Sequence, residues 1–385
     1  MNWPLNVNNF SFLDRLKICK FMLNPANRWT QGSKVKEFES KMADYVGCKY
    51  AVFVSSGSAA NTLLAEYQKS IAFGKDIVVL PSTTWQTSCS PWIKAGFKPK
   101  FIDVSLLDFS IDTDKLVDFT QSFKSRIACV FPTSLIGFTP RMSFYKNYNK
   151  NYHIKVCFDN CENTFGTFNG RNVSSYFSST TSTYFGHQIQ SIEGGFIFTN
   201  SEDEYEFYLI NRNHGMVRSL APYGLETSAF ENNKVDKLFD FYSLGSNHRN
   251  TDLNALIGSL DFKRVGKYKK SRKDLYSFFK DKINLNKFYL PDQAPKAEDV
   301  PFCLPIISKE GKKDKALQVC KDLGIEYRPI ISGYLGYQTC YEQYFESDED
   351  HPNSIYLHNN GLYVGLFHKL SKRKVEKLAS TLNNI

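Results

Sequence analysis

The chain has 385 residues, enough to bury a large core and to divide into about two domains, and its 42% hydrophobic and 23% charged residues are a globular composition. No apolar run approaches the roughly 20 residues that span a bilayer, and the N-terminus lacks the basic flank and apolar stretch of a signal peptide, so a soluble, cytoplasmic protein is expected. The net charge of +9 is modest and partly local to KRVGKYKKSRK, Lys263 to Lys273; without aromatic interleaving this reads as a solvated helix face, with no nucleic acid or membrane as partner.

From residue 50 to 200, short apolar runs alternate with stretches of helical character. YAVFVSS precedes SAANTLLAEYQKS, IVVLPS precedes TSCSPWIKAG, and KFIDVS precedes DTDKLVDFTQSF; IACVFP, KVCFDN and GGFIFTN follow. Strands joined by crossovers of this length predict repeated βαβ units, hence an α/β fold with a mainly parallel sheet whose ligands bind at the carboxyl ends of the strands. Beyond residue 200 come a predicted helix from Glu202 to Arg212, an irregular polar stretch around Ser219 to Lys237, and a long basic helix from about Leu253 to Ile283. Strand-like PFCLPII and helix-like KKDKALQVCKDLGI and SKRKVEKLASTLNN then predict a smaller α/β domain. The division expected is 1–255 and 256–385.

Nine cysteines, scattered from Cys19 to Cys340, fit reduced and mostly buried thiols. Cys157 and Cys161 flank Asp159, but two further ligands for a metal are not apparent, so packing is the better reading and no metal is expected.

Several segments carry chemical possibilities. In VSSGSAANTL, Val54 to Leu63, a strand runs into small residues and a helix; free backbone N–H groups at Gly57 and Ser58 would hold a phosphate, although an ordinary N-cap uses the same residues. In PSTTWQT, Trp85 would stack on a flat ring or fill a core. In VCFDNCENTFG, Asp159 ends a strand with Glu162 three residues on; the aspartate would pair with a pyridine nitrogen or cap a turn. Ser182 offers another phosphate hydroxyl. In TYFGHQIQSIEGG, Thr183 to Gly195, His187 stands six residues before Glu193; in isolation such a histidine serves most often as a structural residue.

These segments, together with TQGSKVKEFE, Thr30 to Glu39, with GFKPKFIDV, Gly96 to Val104, and with LGSNHRNTDLNALIGSLDFKRV, Leu244 to Val265, occur in an order that resembles the DegT/StrS sugar aminotransferase family along most of the chain. The resemblance implies the type I fold of pyridoxal phosphate (PLP) enzymes, with a large domain around a mainly parallel seven-stranded sheet, a smaller C-terminal α/β domain, and a homodimer that shares its active sites. It implies that Gly57, Ser58 and Ser182 hold the phosphate, Trp85 covers the ring, Asp159 binds the ring nitrogen, Glu162 lies near the ring hydroxyl and Asn247 reaches the partner's cofactor phosphate. His214, Arg218, Arg249 and Arg328 are candidates for substrate contact.

His187 stands where the family places its cofactor-binding lysine. Lysine forms a Schiff base with PLP, whereas imidazole moves protons. Within the family this exchange resembles the sugar 3-dehydratases. Their chemistry implies PLP and its amine form, pyridoxamine phosphate (PMP), as cofactors, L-glutamate as amino donor and a nucleotide-linked 4-keto-6-deoxy sugar as substrate, the likeness pointing to GDP-linked 4-keto-6-deoxy-D-mannose. Two alternatives stand beside this reading: an aminotransferase whose lysine lies elsewhere, and a non-catalytic sugar-nucleotide-binding relative. A second histidine often follows the first in such dehydratases; here that position is Gln188.

Overall fold

The computed structural model describes residues 2–385 apart from 229, 233 and 310. Its main sheet has the order Lys98–Ile102, Ile77–Pro81, Ile127–Val130, then a strand made of Lys155–Val156 and Phe158–Asp159, then Ser179–Ser182, Gly195–Thr199 and Tyr50–Val54. The two pieces of the central strand are separated at Cys157, yet Cys157 N–H still donates to the Val130 carbonyl and Asp159 N–H to the Pro132 carbonyl, so one sheet of seven strands results. All of them run parallel except Gly195–Thr199. Ile77–Pro81 is buried at every residue, as expected of a parallel strand covered by helices on both faces.

The crossovers are the expected ones. Helices Gly57–Ser70, Gln86–Lys94, Thr113–Phe123 and Met142–Tyr152 follow the first four strands in chain order. Ser56 caps the first of them by accepting from Ala59 N–H, and Asp112 caps the third through Asp114 and Lys115. Pro91 lies inside Gln86–Lys94 and has no N–H to give to the Thr87 carbonyl one turn back. That carbonyl is taken instead by the side-chain amide of Asn61, at 3.0 Å.

A second, antiparallel sheet of four strands has the order Phe288–Tyr289, Cys303–Ser308, Gly361–Gly365, Tyr327–Pro329. Helices Val265–Lys282, Lys313–Leu323 and Lys372–Leu382 pack with it around Leu275, Phe279, Leu304, Ile306, Val364 and Leu378. Trp3 joins this core from the other end of the chain. Its indole N–H donates to the Gly365 carbonyl at 2.8 Å, and its backbone bonds to Gly324 and Glu326. The segment after Trp3 is thereby drawn across the gap between the sheets.

One sequence expectation is corrected. The basic stretch is two helices, Asp252–Phe262 and Val265–Lys282, with a turn at Lys263 and Arg264. The first packs on helix Ser33–Val46 and the second on helix Lys372–Leu382, so the two halves serve different surfaces. Lys263, Lys267 and Lys270 face solvent as expected, but Arg272 is buried. Among the described residues no helix is long and apolar enough to cross a membrane.

Candidate active site

Because the strands are parallel, their carboxyl ends open along one edge of the sheet, and the loops leaving them converge there. They enclose a cavity of 560 Å³ lined by Gly57, Ser58, Trp85, Asp159, Glu162, Ser182, His187 and Arg328 among others. This volume lies within the range of about 300–1,000 Å³ usual for small-molecule sites. Eight of the twelve candidate residues are thus brought together. The antiparallel strand explains His187: Gly195 pairs with Ser182, so the loop between them must turn back at this edge and carries the histidine with it.

At one end, helix Gly57–Ser70 presents its N-terminus to the cavity, where unpaired N–H groups and the helix dipole favour an anion. A Cβ on Gly57 would approach the Cys161 Sγ to 2.8 Å and the Ser182 Cβ to 3.0 Å, so the cradle has room only for backbone. Ser58 Oγ lies 2.7 Å from Thr87 Oγ1, which orients it. Trp85, 57% exposed, is a wall of the cavity rather than a core residue.

Asp159 lies on the floor, 2% exposed. One carboxylate oxygen accepts from the Ser88 hydroxyl at 2.6 Å and the Asn61 amide at 2.9 Å; the other accepts from Cys161 N–H at 2.9 Å. Glu162 is also buried and accepts from Ile136 N–H at 2.6 Å. Burial pushes its pKa up to about 8; the Ile136 N–H opposes the rise and the nearby Asp159 charge adds to it. Ile136, Ile192 and Ile331 all adopt positive φ, which a β-branched residue rarely does, and each stands at this site: Ile136 bonds Glu162, Ile192 precedes Glu193, and Ile331 lines the cavity. Strain of this kind persists only where surrounding structure enforces it.

His187 is half-buried, but its Nδ1 is fully covered and has no hydrogen-bond partner. Its ring lies 5.1 Å from that of Phe302 and 6.1 Å from that of Tyr184. Burial lowers its pKa to about 4, opposed by the nearby Cys161 backbone and the Asp159 charge, and reinforced by Arg272. The ring is therefore a free base at neutral pH. Gln188 is buried, accepts from Phe165 N–H at 3.2 Å and donates to the Val300 carbonyl, so its amide is committed to backbone.

The other four candidates lie outside the cavity in this single chain. Asn247 accepts from Arg249 Nε at 3.0 Å, and Arg249 lies 3.3 Å from the His214 ring. Arg218 and Arg249 line a separate basic pocket of 320 Å³ with Arg28, Lys36 and Arg212. Sequence reasoning passed over Asn61, Ser88 and Phe302. Asn61 had a legible signal, a polar residue one helical turn after Gly57 on the same face. Cys161, expected to pack in the interior with Cys157, lines the cavity, while Cys157 alone belongs to the core.

The site fits pyridoxal phosphate by its own geometry: a backbone cradle at Gly57, an exposed indole wall, a buried carboxylate on the floor and an unpartnered imidazole nitrogen.

Residues 19–383 match the model of the DegT/DnrJ/EryC1/StrS aminotransferase family. GDP-4-keto-6-deoxy-D-mannose 3-dehydratase of Yersinia pseudotuberculosis is 28% identical over 350 residues, 88% of each chain. The solved structure of the Escherichia coli GDP-4-keto-6-deoxy-D-mannose 3-dehydratase with bound hydrated PLP superposes with a TM-score of 0.89 at 25% identity, covering 99% of both chains. A structure of GDP-4-keto-6-deoxymannose 3-dehydratase with a trapped PLP-glutamate geminal diamine has a TM-score of 0.88 at 25% identity, covering 99% of this chain and 100% of the other.

Proposed function

Since the chain belongs to the DegT/DnrJ/EryC1/StrS aminotransferase family yet has His187 at the lysine position, we propose that it is a PLP- and PMP-dependent sugar 3-dehydratase. It removes the C3 hydroxyl of a nucleotide-linked 4-keto-6-deoxy sugar, GDP-4-keto-6-deoxy-D-mannose by likeness to its relatives, with L-glutamate as amino donor. The observation that carries this reading is the cavity itself: His187 lines it, and among the described residues lining it there is no lysine. That composition speaks against the aminotransferase alternative, which needs a lysine at the cofactor.

Without a covalent tie, the cofactor depends on contacts alone. The N–H groups of Gly57 and Ser58 with the Ser182 hydroxyl would hold its phosphate, Trp85 would cover the ring, Asp159 would pair with the ring nitrogen, and Glu162 would lie near the ring hydroxyl. When bound, the cofactor supplies an electron-accepting ring that stabilises negative charge on the neighbouring carbon. The His187 imidazole would move a proton in each half of the reaction, passing it from the glutamate α-carbon to the cofactor's exocyclic carbon in the first and taking one back from that carbon in the second. The imidazolium gives its proton to the departing C3 hydroxyl, so one group acts as base and then acid. One water is consumed as glutamate leaves as its keto acid, and a second as ammonia is released with the 4-keto-3,6-dideoxy sugar.

The homodimer belongs to the same proposal. Asn247, His214, Arg218 and Arg249 would complete the partner subunit's site. Support comes from their place outside the cavity and from the apolar side chains exposed beside them, Leu238, Phe239, Phe241, Tyr242 and Leu244, a patch that a monomer would not leave open to water.

The test is an assay with PLP, glutamate and GDP-4-keto-6-deoxymannose. Ammonia and keto acid are expected in step with loss of the C3 hydroxyl. Borohydride reduction of the PLP-loaded protein should leave no cofactor on a lysine; a trapped lysine would sink the dehydratase reading, and absence of turnover with any nucleotide sugar would favour a binding protein.

A further inference from the structure

A lysine at the position of His187 would be located by its bond to the cofactor. An imidazole has no such bond, turns about two side-chain torsions, and must be aimed by whatever it packs against. The backbone of the loop is secured by His187 N–H to the Tyr184 carbonyl at 2.9 Å and Phe185 N–H to the Ile192 carbonyl at 2.9 Å, but these bonds leave the ring free to turn. The ring meets Tyr184 at 6.1 Å with its plane at 75°, and Phe302 at 5.1 Å with its plane at 35°. Phe302 is the nearer surface and the more nearly parallel one.

Phe302 is itself held with unusual thoroughness. Its N–H donates to the Ile136 carbonyl at 2.8 Å. Its carbonyl accepts from the Arg272 guanidinium at 2.6 Å, and the same group reaches the Pro301 carbonyl at 3.4 Å. Arg272 is buried and has no carboxylate within ion-pair distance among the described residues; its guanidinium bonds these two carbonyls. Gln188, next to His187 in the chain, donates to the Val300 carbonyl, which ties the same three residues to the histidine loop. On the other side Gly137 admits no side chain: its φ is +84°, and a Cβ would stand 2.5 Å from Phe302 N and 2.7 Å from the Val300 oxygen.

We propose that Phe302 is a positioning residue for His187, an aromatic wall whose backbone is fixed by Arg272 and Ile136, that takes over the aiming done elsewhere by a covalent bond. This rests on the reading of His187 as the proton-transfer group. A phenyl ring suits the task because it packs on imidazole without offering it a hydrogen bond, so the wall that aims the ring does not engage its nitrogens. Ile136 completes the arrangement, since its carbonyl holds Phe302 while its N–H holds Glu162, so base and carboxyl share one support.

The test compares Phe302→Leu and Phe302→Tyr in the full chain. In Phe302→Leu, kcat should fall by about ten- to a hundredfold, the scale of a small misplacement of a reacting group, while KM for the nucleotide sugar and the affinity for PLP stay close to wild type. Phe302→Tyr should restore most of kcat. A second readout needs no turnover: with ¹⁵N-labelled histidine in the cofactor-free protein, the His187 titration should move up toward that of free histidine in Phe302→Leu. Wild-type kcat and an unmoved His187 titration in Phe302→Leu would overturn the proposal while leaving His187 intact as base. Full turnover by His187→Asn would instead remove the reading on which it rests. If Phe302→Leu loses PLP affinity together with kcat, and Phe302→Tyr fails to rescue, the role is structural and the proposal falls.

Discussion

The side-chain amide of Asn61 donates to the Asp159 carboxylate at 2.9 Å, and its second hydrogen goes to the Thr87 carbonyl at 3.0 Å. Its oxygen accepts from Thr180 Oγ1 at 2.6 Å, so every polar atom of this side chain is committed. The arrangement depends on Pro91, whose missing N–H leaves the Thr87 carbonyl available. A helix-breaking residue thereby helps to aim a carboxylate on the floor of the site.

Removing that amide tests its importance. Asn61→Ala should weaken PLP binding by about tenfold or more, since a hydrogen bond to a charged group is worth about 1.5–3 kcal/mol and each 1.4 kcal/mol is tenfold in affinity. Fluorescence titration of the cofactor-free protein measures this directly. An unchanged affinity would mean that Ser88 and Cys161 N–H suffice to hold Asp159.

His187→Asn keeps a polar side chain of similar reach but cannot cycle a proton near neutrality. Turnover should drop by about 10²- to 10⁴-fold, the usual share of general acid–base catalysis, with cofactor binding retained. Steady-state assay beside equilibrium dialysis separates the two effects.

Glu162 gives the cofactor-free protein a distinctive pH response. Its folded pKa, pushed up to about 8 by burial, exceeds the ordinary 4.5, so the folded state binds the proton more tightly than the unfolded chain does. Its stabilising contribution is complete below pH 4.5 and is lost as pH rises through about 8, at about 1.4 kcal/mol per unit of displacement. Glu162→Gln cannot titrate. Its melting temperature should fall less than that of wild type between pH 5 and pH 9, as followed by calorimetry.

Away from the cavity, Glu39 and Arg212 form a buried ion pair at 2.5 Å. Glu39 also accepts from Phe53 N–H and Tyr223 OH, while Arg212 donates to the Phe53 carbonyl at 2.9 Å. Glu39→Ala should cost about 3–5 kcal/mol, because it strands a buried guanidinium. Urea denaturation provides the measurement, and a loss below 1 kcal/mol would show that the backbone carbonyl and Tyr223 compensate.

The proposed sharing of sites between subunits predicts complementation. His187→Asn and Asn247→Ala chains, each nearly inactive alone, should regain activity when mixed under conditions that exchange subunits, because every mixed dimer carries both defects in one site and leaves the other whole. Sedimentation of the unmixed proteins checks that both are dimers.

Much of the fold was legible along the chain because strand, turn and crossover helix are local patterns. The order of motifs also pointed to the family, and the offset from Glu193 identified the histidine that replaces its lysine. The break at Arg264 was not legible, since the nearest glycine, Gly266, lies inside the second helix rather than at the turn; the two halves pack on different partners, helix Ser33–Val46 and helix Lys372–Leu382.

Identity and spacing along the chain therefore pointed to the architecture that the structure has and singled out His187 by its offset from Glu193. Tertiary packing alone decided which side chains support the site. Phe302 and Arg272 come from beyond residue 250, and Ile136 reaches Glu162 from 26 residues away. Their contacts arise where the two sheets face one another, and no local periodicity encodes a meeting of that kind. The same holds for His187: its position in the motif marks it as unusual, but only the enclosing cavity withdraws the imidazole from water and lowers its pKa to about 4.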